Sequence, residues 1–128
     1  MTRLRILYAD DDPDAREVVE FSLALDPEIS VRSCSSGKDA VAVAVDWLPD
    51  LILCDVTMPV VDGPSTLKRL RQHPRTANIP VVFLTARTQK REIEQFRSLG
   101  VGGVIAKPFD PITLAKSVRD HLDRLSKA

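Results

Sequence analysis

Long hydrophobic runs are missing from this 128-residue sequence: nothing approaches eighteen consecutive apolar residues, so no segment reads as a transmembrane helix. Cysteine is scarce. Cys34 and Cys54 both lie in apolar settings, which excludes a disulfide framework and suggests free thiols in a reducing compartment. Histidine is equally scarce. His73 and His121 sit on polar stretches and are expected to be solvated, with no catalytic neighbour in sequence and no imidazole or thiolate set for zinc. Aromatics make up 5% of the chain and do not interleave with its basic residues, so a nucleic-acid face is not expected. The start, Met1-Thr2-Arg3-Leu4-Arg5, has no long apolar run after its charges, so no signal peptide is expected and a cytoplasmic setting follows. No linker, repeat or low-complexity tract interrupts the sequence, so residues 1–128 are expected to form one domain with no output domain.

What is present is unevenly distributed. Net charge is zero, yet residues 1–63 carry 13 acids and 5 bases, while residues 64–91 carry seven bases and no acid. Such a pole could steer an acidic protein partner, or simply balance the acidic half.

Five short runs alternate with helical patterns. The runs are Leu4–Ala9, Ile29–Arg32, Leu51–Cys54, Pro80–Leu84 and Val101–Ala106. The first, third and fourth are nearly continuously apolar, as strands buried on both faces should be; the second alternates, like an edge strand. Helices are expected over 13–25, from a cap at Ser36 to Trp47, and over 64–72, 89–98 and 111–126. Asp12-Pro13 reads as an N-cap followed by proline at N1, and Gly100 as the residue closing the fourth helix. On the last helix Leu114, Ala115, Val118, Leu122 and Leu125 share one stripe, leaving Ile112 outside it. Alternating strand and helix predicts a doubly wound α/β fold: a parallel five-stranded sheet with five helices on its two faces.

In such folds reactive groups gather at the carboxyl ends of the strands. Four strand ends carry them here: Asp10-Asp11 after the first, Asp55 after the third, Thr85 after the fourth and Lys107 after the fifth. Three converging carboxylates raise one another's pKa unless a cation intervenes, and a hard, partly hydrated ion such as Mg²⁺ suits oxygen ligands. One carboxylate on a separate strand, facing a hydroxyl and an amine, is an arrangement for phosphoryl transfer.

The stretches "ILYADDDPDAR", "LILCDVTMPVVDG", "VVFLTAR" and "VIAKPFD" resemble, in order and spacing, the receiver domains of two-component response regulators. The resemblance runs from Arg3 to about Leu125 and implies a flavodoxin-like sheet of order 2-1-3-4-5. It implies that Asp55 is the phospho-acceptor, that Asp10 and Asp11 hold Mg²⁺, and that the Thr57 backbone carbonyl is a further ligand. Thr85 is then the hydroxyl that engages the phosphoryl group, and Lys107 the lysine contacting acceptor and phosphate. Pro59 and Asp62-Gly63 match the loop after the acceptor, and Pro108 the proline, often cis, after the lysine. Thr57 and Arg87 flank the site at positions that tune phosphoryl lifetime in this family. The implied donor is a histidine kinase or histidine phosphotransfer protein; output passes to a further protein, with neither nucleic acid nor membrane involved. In the family the receiver catalyses its own phosphorylation and dephosphorylation. One departure stands out: Val104 occupies the position where the family has tyrosine or phenylalanine, so a smaller conformational response is expected.

Other readings compete for the same residues. Asp12 and Asp14 serve most simply as a helix cap and a first-turn charge. An EF-hand built on Asp10, Asp12 and Asp14 fails, because Ala15 and Phe21 stand where glycine and glutamate are required. Trp47 and Phe83 read as core residues and Cys54 as packing. A haloacid-dehalogenase-type phosphatase would instead use Asp10 as nucleophile, although Pro13 breaks that pattern and Asp55 is left unexplained. A binding module that never accepts phosphate is the third reading.

Overall fold

A computed structural model describes residues 3–126. Five parallel strands form one sheet in the order β2-β1-β3-β4-β5. They are β1 (Leu4–Ala9), β2 (Ile29–Cys34), β3 (Leu51–Asp55), β4 (Val81–Thr85) and β5 (Gly103–Ala106). The connecting helices are α1 (Pro13–Ala24), α2 (Gly37–Trp47), α3 (Gly63–Gln72) and α4 (Lys90–Ser98), with α5 (Leu114–Ser126) last. The expected α/β class and strand order are therefore found.

Because successive strand residues point to opposite faces, the apolar runs split into two cores. Ile6, Tyr8, Leu51, Leu53, Val82 and Leu84 pack with Val19 and Leu23 of α1 and Leu114 and Val118 of α5. Leu7, Ala9, Ile52, Cys54, Val81 and Phe83 pack on the other face with Ala40, Ala44, Leu67, Leu70 and Phe96. Phe83 and Phe96 meet edge to face at 5.4 Å. Each large side chain removed from water here contributes about 1.5–3 kcal/mol, which fixes the sheet between its helices.

Local signals set the helix starts. Asp12 is extended, and its Oδ1 accepts from the Asp14 amide at 2.9 Å. Ser36 caps α2 through the Asp39 amide at 3.1 Å. Asp62 caps α3 through Ser65, so the Asp-Gly pair is a helix start as well as a turn.

Several expectations need correction. β2 runs two residues further, to Cys34, because it pairs with β1 along its whole length. β5 begins at Gly103, where its ladder with β4 begins. α5 begins at Leu114; residues 111–113 form a turn whose Ile112 amide bonds the Asp110 carboxylate. Ile112 is 73% exposed, as its position off the stripe predicts. Trp47 lies at the rim of the core, with the guanidinium groups of Arg32 and Arg5 at 4.6 and 5.9 Å from its ring. Neither histidine is fully solvated: His73 is half-buried and accepts from the Arg75 amide, and His121 packs between α5 and β5. Cys54 is buried and Cys34 half-buried, both as free thiols. No helix among the described residues is long and apolar enough to cross a membrane.

Candidate functional site

Parallel strands place all their carboxyl ends on one edge, so β1, β3, β4 and β5 deliver their terminal polar residues to one place. Asp10 and Asp55 are buried there, at 1% and 7% exposure, while Asp11 is exposed. One carboxylate oxygen from each of the three lies within 4.8 Å of the others. Lys107 reaches in from the end of β5, its Nζ 2.9 Å from Asp55 Oδ1 and 3.3 Å from Asp10 Oδ2. The Lys107–Pro108 peptide is cis.

Asp10 is held more firmly than the sequence suggests. The Tyr8 hydroxyl donates to its Oδ2 at 2.5 Å, and the Asp12 amide to its Oδ1 at 3.0 Å. Arg16 donates to its backbone carbonyl at 2.8 Å. Neither Tyr8 nor Arg16 was expected at the site. The period of two along a strand offers the signal for Tyr8, since residues 8 and 10 share a face. No comparable signal exists for Arg16, whose reach across the first turn of α1 depends on how the helix leaves the strand.

Thr85 is buried, and its Oγ1 accepts from the Arg87 amide at 2.9 Å, a bond that shapes the turn after β4. The Thr85 carbonyl accepts from the Lys107 amide at 2.8 Å, tying the ends of β4 and β5 together. Thr57 is exposed in the loop that follows β3. That loop returns closely under the acceptor strand: the Gly63 amide bonds the Val56 carbonyl at 2.9 Å, and a Cβ on Gly63 would lie 2.8 Å from Val56 Cα.

Electrostatics follow from this packing. Burial pushes the Asp55 carboxyl above the usual carboxylate range; the Lys107 hydrogen bond opposes that push, and the charges of Asp10 and Asp11 add to it. Burial disfavours charge on Lys107, yet its bond to Asp55 and the two carboxylate fields prevail and raise it above the ordinary lysine value. The cluster is therefore a set of three carboxylates with a single ion-paired lysine among the described residues. An all-oxygen set of this kind, with one member open to water, fits a small divalent cation.

Comparison with known proteins agrees with this geometry. Residues 6–119 match the model of the response regulator receiver domain. The chain is 36% identical over 121 residues to response regulator Rre1 of Synechocystis, covering 94% of this chain and about half (52%) of that protein. It is 31% identical to an uncharacterized 14.6 kDa protein of Leptolyngbya boryana, covering 94% of this chain and 92% of the other. The structure of the chemotaxis response regulator CheY4 of Vibrio cholerae superposes with a TM-score of 0.85 at 29% identity, covering 94% of this chain and 99% of that one. The phosphatase reading finds no support in any of these matches. By sequence and by fold, the chain belongs to the response regulator receiver domain family.

Proposed function

We propose that Asp55 accepts a phosphoryl group from a phosphohistidine on a histidine kinase or phosphotransfer protein, and that the resulting acyl phosphate is the signalling state. The observation that carries this reading is the contact of Lys107 Nζ with Asp55 Oδ1 at 2.9 Å beside Asp10. A Asp55 carboxylate oxygen attacks phosphorus, the P–N bond to the donor imidazole breaks as the P–O bond forms, and the bonding pair leaves with the imidazole nitrogen. Lys107 then offers its ammonium to the charge spread over the phosphoryl oxygens, and the Thr85 hydroxyl donates to the same group.

Asp10, Asp11, Asp55 and the Thr57 carbonyl would hold Mg²⁺. The ion supplies charge neutralisation that one lysine cannot give to three carboxylates. Bound there, it would also oppose the burial that pushes the Asp55 carboxyl toward its protonated form. Loss of phosphate by attack of water on the same acyl phosphate, also promoted by this site, would reset the switch.

The donor imidazole must reach Asp55, so its docking surface must adjoin that end of the sheet. A groove of about 500 Å³ runs there between α1 and the segment after β5, lined by Ala15, Val18, Ala86, Pro108 and Phe109. Val18 and Phe21 of α1 and Leu25 at its C-cap are exposed apolar residues. Output would pass by contact with another protein, either as an effector or as a relay to a second histidine. Val104 packs half-buried against the α3 and α4 side of the sheet in place of an aromatic ring, so the structural response along β5 and α5 is expected to be small.

Incubation with acetyl phosphate, with and without Mg²⁺, tests the reading. Trapping the acyl phosphate should place it on Asp55, and Asp55→Ala should remove it. Label on Asp10, or wild-type labelling of Asp55→Ala, would overturn the assignment.

A further inference from the structure

A second cleft lies on the far side of β5, away from the carboxylates. It has a volume of about 620 Å³ and is lined by Arg97 of α4, Val101 to Val104, and His121 and Arg124 of α5. That volume is within the range of small-molecule sites. Its charge is of one sign: no carboxylate lines it, and neither arginine is ion-paired with an acid among the described residues. On α5, Asp120 is ion-paired to Lys116 at 3.3 Å, and its charge also reaches His121.

One wall of the cleft is set by Gly103, the first residue of β5, and Gly102 just before it. A Cβ on Gly103 would lie 2.4 Å from His121 Nδ1, and one on Gly102 2.6 Å from Leu125 Cδ1. Without side chains there, α5 lies close against the strand and His121 lies over its backbone. Arg124 can only donate, so at 2.7 Å its guanidinium fixes His121 Nδ1 as the acceptor and the ring proton of the neutral form on Nε2. Burial and the neighbouring Arg124 hold this histidine below its usual pKa.

We propose that this cleft binds the phosphate group of a small phosphate monoester, held between the guanidinium groups of Arg97 and Arg124 with His121 Nε2–H as a third donor. Two guanidinium groups with no acidic partner among the described residues carry a charge of +2, and a phosphate monoester carries close to −2 at neutral pH. Planar guanidinium forks also match phosphate oxygens in pairs, which a single carboxylate would leave half unused. The site is independent of the phospho-acceptor reading, since it shares no residue with Asp10, Asp55 or Lys107.

Titration of the full chain with glycerol 3-phosphate, without Mg²⁺, followed by amide and imidazole NMR shifts, tests the proposal. Saturable shifts centred on Gly102, Gly103 and His121 are expected, with acetate and glycerol giving none. Arg97→Gln and Arg124→Gln should each weaken binding at least about tenfold, the worth of one charge-assisted hydrogen bond. Both side chains are exposed, and an unchanged amide spectrum elsewhere will establish that each variant is folded. The absence of saturation up to about 20 mM, far weaker than a millimolar site, would overturn the proposal. So would shifts confined to Lys107 and Ala86, or shifts that persist when both arginines are replaced.

Discussion

Tyr8 of β1 and Asp10, the residue just past the strand's end, lie two residues apart, and the Tyr8 hydroxyl donates to Asp10 Oδ2 at 2.5 Å within the buried end of the sheet. Burial, followed by this bond, keeps the phenol protonated and therefore always a donor. One oxygen of the acidic pair is thus shared between a tyrosine and Lys107, so its orientation is set before any ion arrives.

Removing that hydroxyl should be felt as lost stability. Tyr8→Phe keeps the ring and its packing but deletes a hydrogen bond to a charged, buried acceptor, costing about 2 kcal/mol. Denaturant unfolding should show the midpoint falling with an unchanged slope. An unaltered midpoint would mean that Lys107 and the Asp12 amide satisfy Asp10 alone.

Mg²⁺ should stabilise the protein through the carboxylates. With the ion at about 100 times its dissociation constant, linkage adds about 2.7 kcal/mol to unfolding. Asp11→Ala, the exposed member, should abolish most of that gain while changing the metal-free stability little, since Asp11 is the member open to water. Thermal melts with and without the ion measure both effects.

Val60 offers a route to a more stable variant. It is fully exposed, yet it holds a left-handed backbone at φ 66°, which is costly for a β-branched residue. Val60→Asn removes that strain without touching the core and should gain about 1 kcal/mol, seen as a rise of roughly 3–5 °C in Tm. The loop after the acceptor should then also show slower local opening by hydrogen exchange.

The contact between the end of α1 and α5 should give stability a measurable pH dependence. Arg119 Nε donates to Asp26 Oδ2 at 2.5 Å, and that bond, with the Glu28 amide, lowers the Asp26 carboxyl below its usual 3.8. A depressed folded-state pKa contributes stability that is complete above the unfolded value and is lost as pH falls through the folded one. The melting-temperature difference between wild type and Asp26→Asn should therefore be constant near neutrality and shrink as pH drops below 3.8. A difference that persisted unchanged into strong acid would mean that Asp26 acts through packing.

Much of this protein is determined by sequence alone. Apolar runs of strand length, each closed by a polar residue, dictate a parallel sheet, and a parallel sheet puts Asp10, Asp11, Asp55, Thr85 and Lys107 on one edge whatever the details of packing. The caps at Asp12 and Ser36 are equally local, since a side chain bonds an amide two or three residues away. Tertiary structure alone decided what depends on distance between elements. The closing together of Lys107 and Asp55, 52 residues apart in sequence, relies on three strands in register. Arg16 bends back to the Asp10 carbonyl only because α1 leaves β1 at that angle, and His121 rests on Gly103 only because α5 crosses the last strand there. Such contacts leave no periodic trace in the chain, because the residues that make them are brought together by the packing of the whole sheet and not by their neighbours.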